Sequence, residues 1–280
     1  MMRLCLILSF VLITGSPSWG QELFPMNEPA SNIPKGIWGI RITSDAFIDQ
    51  EDQFKTMQGL KIMYGVNKNL MVWANLMFSN HHDKDLPSDF VQPKENEPGF
   101  FINNHIGHLG AFPYQFNGVH LYAKYRLLTF DQPNQHFRLA AYGEGFLSTT
   151  AHHLAEPHLM GYNSGTGAGM IATWLKKKLA ISFTGGFILP QDYYRAQDDV
   201  RFEFGRALNY NLSFGYLLLP FQYTSYKQTN VNVYVEFMGR KYERANIFKG
   251  PERLESRWYP DLLKGNYVDV FPGIQFIFNS

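Results

Sequence analysis

The feature that most constrains this chain is a two-residue hydrophobic period, sustained over stretches of roughly 11–14 residues from about residue 36 onward. Successive side chains of a strand point to opposite faces, so this period means strands with one apolar and one polar face. Over 69–80, Leu70, Val72, Ala74, Leu76 and Phe78 share one face, and Met71, Trp73, Asn75, Met77 and Ser79 the other. Over 203–218, Leu208, Tyr210, Leu212, Phe214, Tyr216 and Leu218 oppose Asn209, Asn211, Ser213 and Gly215. Over 229–240, Val231, Val233, Val235 and Phe237 oppose Asn232, Tyr234, Glu236 and Arg240. The pattern predicts ten strands, at roughly 36–47, 55–66, 69–80, 117–129, 136–148, 163–175, 178–189, 203–218, 229–240 and 265–278. Strands of globular proteins peak at about 5–6 residues, whereas a tilted strand crossing a bilayer needs roughly 9–11.

The connections alternate in length. Those at 66–69, 130–135 and 176–177 are tight, with a longer one around Pro220, while 81–116, 149–162, 190–202 and 241–264 are long. Short turns on one rim, long loops on the other and an even strand count describe an all-β, transmembrane, antiparallel up-and-down barrel with both termini in the periplasm. Twelve strands is the alternative, if 81–116 hides a hairpin. Two residues break the pattern. Arg206 falls on the apolar phase, which places it above the membrane or at a bulge. Pro272 removes a ladder donor from the last strand and predicts a bulge there.

Alternation alone does not say which face points outward, since a soluble lipocalin-like barrel has the inverse arrangement. The polar face mixes Arg41, Lys61, Lys124, Arg126, Arg138, Glu144, Glu236 and Asp269 with Gly, Asn, Ser and Tyr, which is unlike a soluble surface. The apolar face is almost free of charge along whole strands, as lipid demands. Aromatics lie near strand ends (Trp38, Phe78, Tyr125, Phe137, Trp174, Phe187, Tyr216, Phe237, Phe278), as an interfacial girdle would. Composition agrees. The chain is 45% hydrophobic and 16% aromatic but only 18% charged, below the roughly 25% usual for soluble domains. Its mean hydropathy is −0.24, and no apolar run beyond the first 20 residues approaches the roughly 18 of a spanning helix, which excludes a helical membrane protein.

Residues 1–20 read as a signal peptide: Arg3, an apolar core over Leu4 to Thr14, and Ser18 and Gly20 at the small-residue positions before Gln21. Residues 21–35 then form a periplasmic N-terminal segment and 36–280 the outer-membrane barrel. Cleavage removes Cys5, the one cysteine, so the mature chain forms no disulfide. It also removes Arg3, taking 25 Lys+Arg to 24 against 24 Asp+Glu, and a neutral chain has no electrostatic case for binding nucleic acid.

Three phrases, FPGIQFIF (271–278), YGVNKNLMV (64–72) and LYAKYRLL (121–128), resemble exported bacterial barrels, in particular the outer-membrane proteins associated with the phenol meta-degradation pathway. NEPASNIPKGIWGIR (27–41) is similar to members described as transporters. The resemblance implies a Gram-negative outer membrane, contact with its lipid and with the barrel-assembly machinery, and movement of a small solute whose identity it does not give. Such barrels end on an aromatic, whereas here Asn279 and Ser280 follow Phe278.

Three constellations carry chemistry. The first is the lumen, lined by Arg41, Lys61, Lys124, Arg126, Arg138, Glu144, Glu236 and Asp269, either as a polar pathway or as a plug of ion pairs. Ten strands lie near the filled end of the barrel series, although Gly165, Gly167 and Gly169 would widen one side. The second is histidine: His81, His82, His105, His108, His152, His153 and His158 fall in two long loops on one rim, and the first six are the candidates for zinc or copper. The third is a Ser–His–Glu set of Ser148, His120 and Glu144, which lacks the flanking glycines of a nucleophile elbow. There is no phosphate loop, CxxC or HExxH, and nothing argues for a cofactor. The expected function is passive or facilitated movement of a small solute; the alternative is a non-transporting barrel whose long loops bind ligands, metals or partners.

Overall fold

The structure is a computed structural model that describes residues 6–12, 24–48, 54–86, 88–103, 112–152, 154–159, 161–222, 229–254, 259 and 262–277. In chain order its strands are β1 (Leu6–Leu12), β2 (Trp38–Ile48), β3 (Phe54–Gly65), β4 (Leu70–Ser79), β5 (Val91–Pro93), β6 (Phe100–Ile102), β7 (Gln115–Gln132), β8 (Gln135–Ser148) and β9 (Gly165–Lys176). They continue as β10 (Leu179–Pro190), β11 (Tyr193–Arg195), β12 (Val200–Glu203), β13 (Ala207–Leu219), β14 (Asn230–Tyr242), β15 (Asn246–Lys249), β16 (Glu252–Arg253) and β17 (Gly265–Ile277). One antiparallel sheet runs β1-β2-β3-β4-β7-β8-β9-β10-β13-β14-β17. Apart from β1, its members are the ten strands that the period-two pattern marks out. The eighth starts four residues late, because Val200–Glu203 is taken by β12, and Arg206 therefore lies outside β13 in the connection.

Among the described residues the twelve-strand alternative is not realised. The hairpin within 81–116 exists as β5 and β6, but it forms a separate two-stranded sheet. The bulge expected at Pro272 is also absent: β14 and β17 pair without a register shift, and Pro272 stands opposite Val235. The missing proline donor is accommodated within the ladder without an extra residue. The register shifts fall elsewhere, at Met77/Phe78, Arg126/Leu128 and Leu217/Leu219. Two of the tight turns, 133–134 and 177–178, each place a residue at positive φ (Asn134 at 60°, Lys177 at 53°), as a two-residue hairpin requires.

The sheet curls so that its two faces differ sharply. Ile42, Leu121, Leu147, Phe183, Leu208, Val270 and Ile274 on the convex face are each more than two-fifths exposed, whereas Lys124, Ser182, Ser213 and Glu236 on the concave face are fully buried. One cavity is lined by residues of β3, β4, β7, β8, β9, β10, β13, β14 and β17, so the curl brings nine strands around a common interior. β1, the expected leader, pairs with β2 from Leu6↔Ala46 to Leu12↔Ile40 and so occupies that edge of the curl.

The long connections are not simple loops. β11, β12, β15 and β16 form a four-stranded sheet, and segments from all four long connections share one core. Leu86, Phe90 and Val91 come from the first, Ala151 and Ala155 from the second, Val200 and Phe202 from the third, and Ala245, Ile247, Leu254, Tyr259 and Leu262 from the fourth. Buried Arg195 ties two of them, donating to the Leu86 carbonyl at 2.6 Å while its guanidinium holds Asp198. The result is a folded cap on the long-loop rim.

Candidate functional site

The concave face is occupied by the chain itself. Residues 24–32, read from sequence as part of a periplasmic stretch ahead of the barrel, run along it and touch eight of the ten long strands. Pro25, Pro29 and Pro34 punctuate this segment. Proline lacks a donor and disfavours helix in the residue before it, so such a segment is extended but makes a poor ladder strand. Three of its N–H groups go to side chains of the wall. The amides of Met26 and Asn27 donate to the two carboxylate oxygens of Glu236 on β14, at 3.0 and 2.9 Å. The Ala30 amide donates to Thr173 Oγ1 on β9 at 2.9 Å. Asn27 takes a hydrogen bond from Thr184 Oγ1 on β10 at 2.8 Å and donates to Ser213 Oγ on β13 at 3.3 Å. The Phe24 ring sits over Gly215 of β13, where any Cβ would press on it.

Charge fixes the other half of the segment. Arg41 on β2 donates to the Pro25 carbonyl, Lys124 on β7 to the Pro29 carbonyl at 2.5 Å, and Arg138 on β8 to Ser31 Oγ at 2.8 Å. Glu28 lies between two buried ammonium groups, 2.8 Å from Lys61 on β3 and 3.6 Å from Lys124. Breaking a buried ion pair by removing one partner costs roughly 3–5 kcal/mol, because the other charge is stranded. Glu28 is therefore the keystone of the segment. The neighbouring residues Pro25 and Met26 thus contact β2 and β14, which lie towards opposite ends of the sheet.

The eight residues read as lining the lumen are thus placed as follows. Arg41, Lys61, Lys124, Arg138 and Glu236 hold residues 25–31. Glu144 is paired with His120, with Oε2 and Nε2 2.9 Å apart. Asp269 lines the cavity from β17, and Arg126 sits at the short-turn rim, binding the Lys68 carbonyl. The glycines of β9 do not widen the interior. A Cβ at Gly169 would meet the Tyr142 ring and one at Gly167 would meet Glu144 Oε1, so these glycines make room for neighbouring side chains that fill it.

A cavity of about 210 Å³ remains beside the segment. Its wall includes Trp73, Tyr122 and Tyr142, stacked in a row with ring centroids 4.6 and 5.3 Å apart, and Lys61 lies 4.4 Å over the Trp73 ring. Arg240 reaches Glu156 of the second long connection at 3.0 Å, and Tyr267 OH binds the same oxygen. The serine of the Ser–His–Glu set does not join this cavity: Ser148 Oγ bonds to the Thr150 carbonyl and hydroxyl, each at 3.1 Å.

The histidines gather, but not as a ligand set. His81, His82, His152 and His158 pack around Tyr162, with ring centroids 4.5–5.4 Å from it, and His81 stacks on His82 at 4.2 Å. Among the described residues no group of three or more His, Cys, Asp or Glu is arranged to hold a metal ion. His105, His108 and His153 lie outside the described residues. Burial, then Arg240 and the neighbouring histidines, pushes the His158 imidazole well below its ordinary value, so it is neutral where it packs. Sequence reasoning missed Glu28 and the occupying role of 24–32. The one available signal was an acidic residue framed by prolines just ahead of the first strand, in a chain whose strands carry unmatched inward lysines. No protein-family model, curated protein or solved structure matches the chain.

Proposed function

We propose that the chain is an outer-membrane β-barrel whose interior is closed by its own residues 24–32, so that it is silent as a pore at rest and passes a small solute only when that segment moves. The observation that carries this reading is the nine-residue segment bound by side chains of eight strands. A convex face of exposed Leu, Ile, Val and Phe supports a lipid environment, because soluble monomers rarely expose a contiguous apolar patch beyond a few hundred Å². Closure of the barrel belongs to the same proposal. β1 occupies the edge of β2; removal of the leader frees that edge for β17, and Arg41 on β2 and Glu236 on β14 already meet consecutive residues of the segment. A lipid-exposed open edge is not tolerated, which supplies the driving force.

Vesicle swelling tests it. Vesicles carrying residues 21–280 should be impermeable to small polyols, and deletion of 24–31, or Glu28→Ala, should raise the swelling rate at least several-fold. Rapid swelling with the intact chain would contradict the plug. The folded cap favours a second reading, a non-transporting barrel that presents this cap to a partner. Silence in the deletion variant as well, with folding intact, would select that reading.

A further inference from the structure

We infer that the cavity beside the segment is a binding site for a small neutral polyhydroxylated molecule, of the size and chemistry of a monosaccharide or cyclic polyol. Its ionic walls are already partnered: Lys61 with Glu28 and Arg240 with Glu156, while Glu144 Oε2 lies 2.9 Å from His120 Nε2. Asp269 is engaged as well. A charged ligand would have to compete with one of these contacts.

Uncharged polar atoms are left over. Trp73 and His120 are 6% and 2% exposed and both line the cavity, yet the indole Nε1 of Trp73 and the Nδ1 of His120 have no hydrogen-bond partner within the protein. Buried donors and acceptors are almost always satisfied, so two such nitrogens on one cavity wall point to a partner that enters it. The same cavity is lined by Asn211 and by Asn209, whose Oδ1 accepts from Arg240, together with the apolar side chains of Ile171, Met238 and Phe271. Uncharged donors and acceptors mixed with apolar side chains in one lining match a ring that carries hydroxyls at its edge and C–H groups on its face. Size agrees: about 210 Å³ is the room of some seven liquid waters at roughly 30 Å³ each, and falls below the roughly 300–1,000 Å³ of drug-sized sites. The assignment rests on the reading of an enclosed interior but needs neither a membrane location nor permeation, so swelling results leave it standing.

The test is isothermal titration of the detergent-solubilised chain with D-glucose, D-galactose and myo-inositol, and with gluconate and glucosamine as charged counterparts. At least one neutral probe should saturate with a Kd of about 1 mM, a value ordinary for so small a ligand. The charged counterparts should bind at least several-fold more weakly. Trp73→Phe keeps the ring and removes the N–H, and should weaken binding about tenfold; Asn211→Leu removes a lining amide and should do the same. Trp38→Phe, on the convex side, should leave binding unchanged. Heat-dependent gel migration checks that each variant is folded. No saturable binding of any neutral probe would mean that the cavity holds water only and would overturn the assignment. Equal affinity for the charged probes, or binding indifferent to both cavity variants, would overturn it too.

Discussion

At the scale of single residues, the wall is built from glycines that receive tyrosines. Tyr142, Tyr210, Tyr234 and Tyr242 each stand directly across a ladder from a glycine, at Gly169, Gly239, Gly273 and Gly265. At each of these glycines, an added Cβ would collide with the facing ring. A bare glycine weakens a strand, and an aromatic folded over it from the neighbouring strand restores contact area. At 169, an alanine Cβ would press on the Gly185 carbonyl and Gly186 Cα of β10 as well as on the Tyr142 ring, so both the strand pairing and the ring must shift. Gly169→Ala should therefore destabilise by about 1–3 kcal/mol, the usual cost of overpacking, read as a lower temperature of the gel-mobility transition; a variant as stable as the parent would show that the ring is loosely held. None of this pairing is legible in sequence. The glycines look like gaps, because the register that sets each against a tyrosine depends on turn geometry and on three bulges.

At the scale of elements, the strands were legible and the connections were not. Period two is dictated locally by the pleat, so ten strands could be placed from their own residues, with a lipid-like face of Leu, Val and Phe. The long connections carry no period, and their order comes from one another: Phe90, Phe202 and Ile247 are each fully buried, yet they come from three different connections. The inward charges were legible as a set, but their partners were not, because Glu28 precedes β2 by ten residues and reaches Lys61 and Lys124 only through the fold. The cap also carries a pH prediction. His158, on the 149–162 connection, titrates below its unfolded value, so it favours the folded cap fully only above about pH 6.5. As pH falls below that value the unfolded connection binds the proton that the folded one refuses, and stability is lost. Limited proteolysis should show the cap opening between pH 7 and 5 while the long strands persist, and His158→Gln should flatten that dependence. Cap protection unchanged across the range would contradict it.

For the whole molecule, three layers join: an apolar convex wall, a concave face of paired charge, and a proline-framed segment that contacts both β2 and β14. The segment has two effects. It partners lysines and a glutamate that the curled sheet would otherwise bury alone, and it occupies the concave face. Hence the wall and the segment depend on each other, and under the proposed function a solute pathway is made by moving 24–32 rather than by widening the strands. The most direct test is cross-linking in the membrane. Asn27→Cys and Thr184→Cys are introduced together into the full chain in a Gram-negative host; Asn27 and Thr184 touch at 2.8 Å, and the chain's one native cysteine, Cys5, is replaced by serine. A short bifunctional thiol reagent applied to isolated outer membranes should link them in nearly all of the heat-modifiable protein, with neither single variant giving the product. Protein that reaches the outer membrane folded but leaves the two thiols unlinked would contradict the claim that residues 24–32 close the barrel from within.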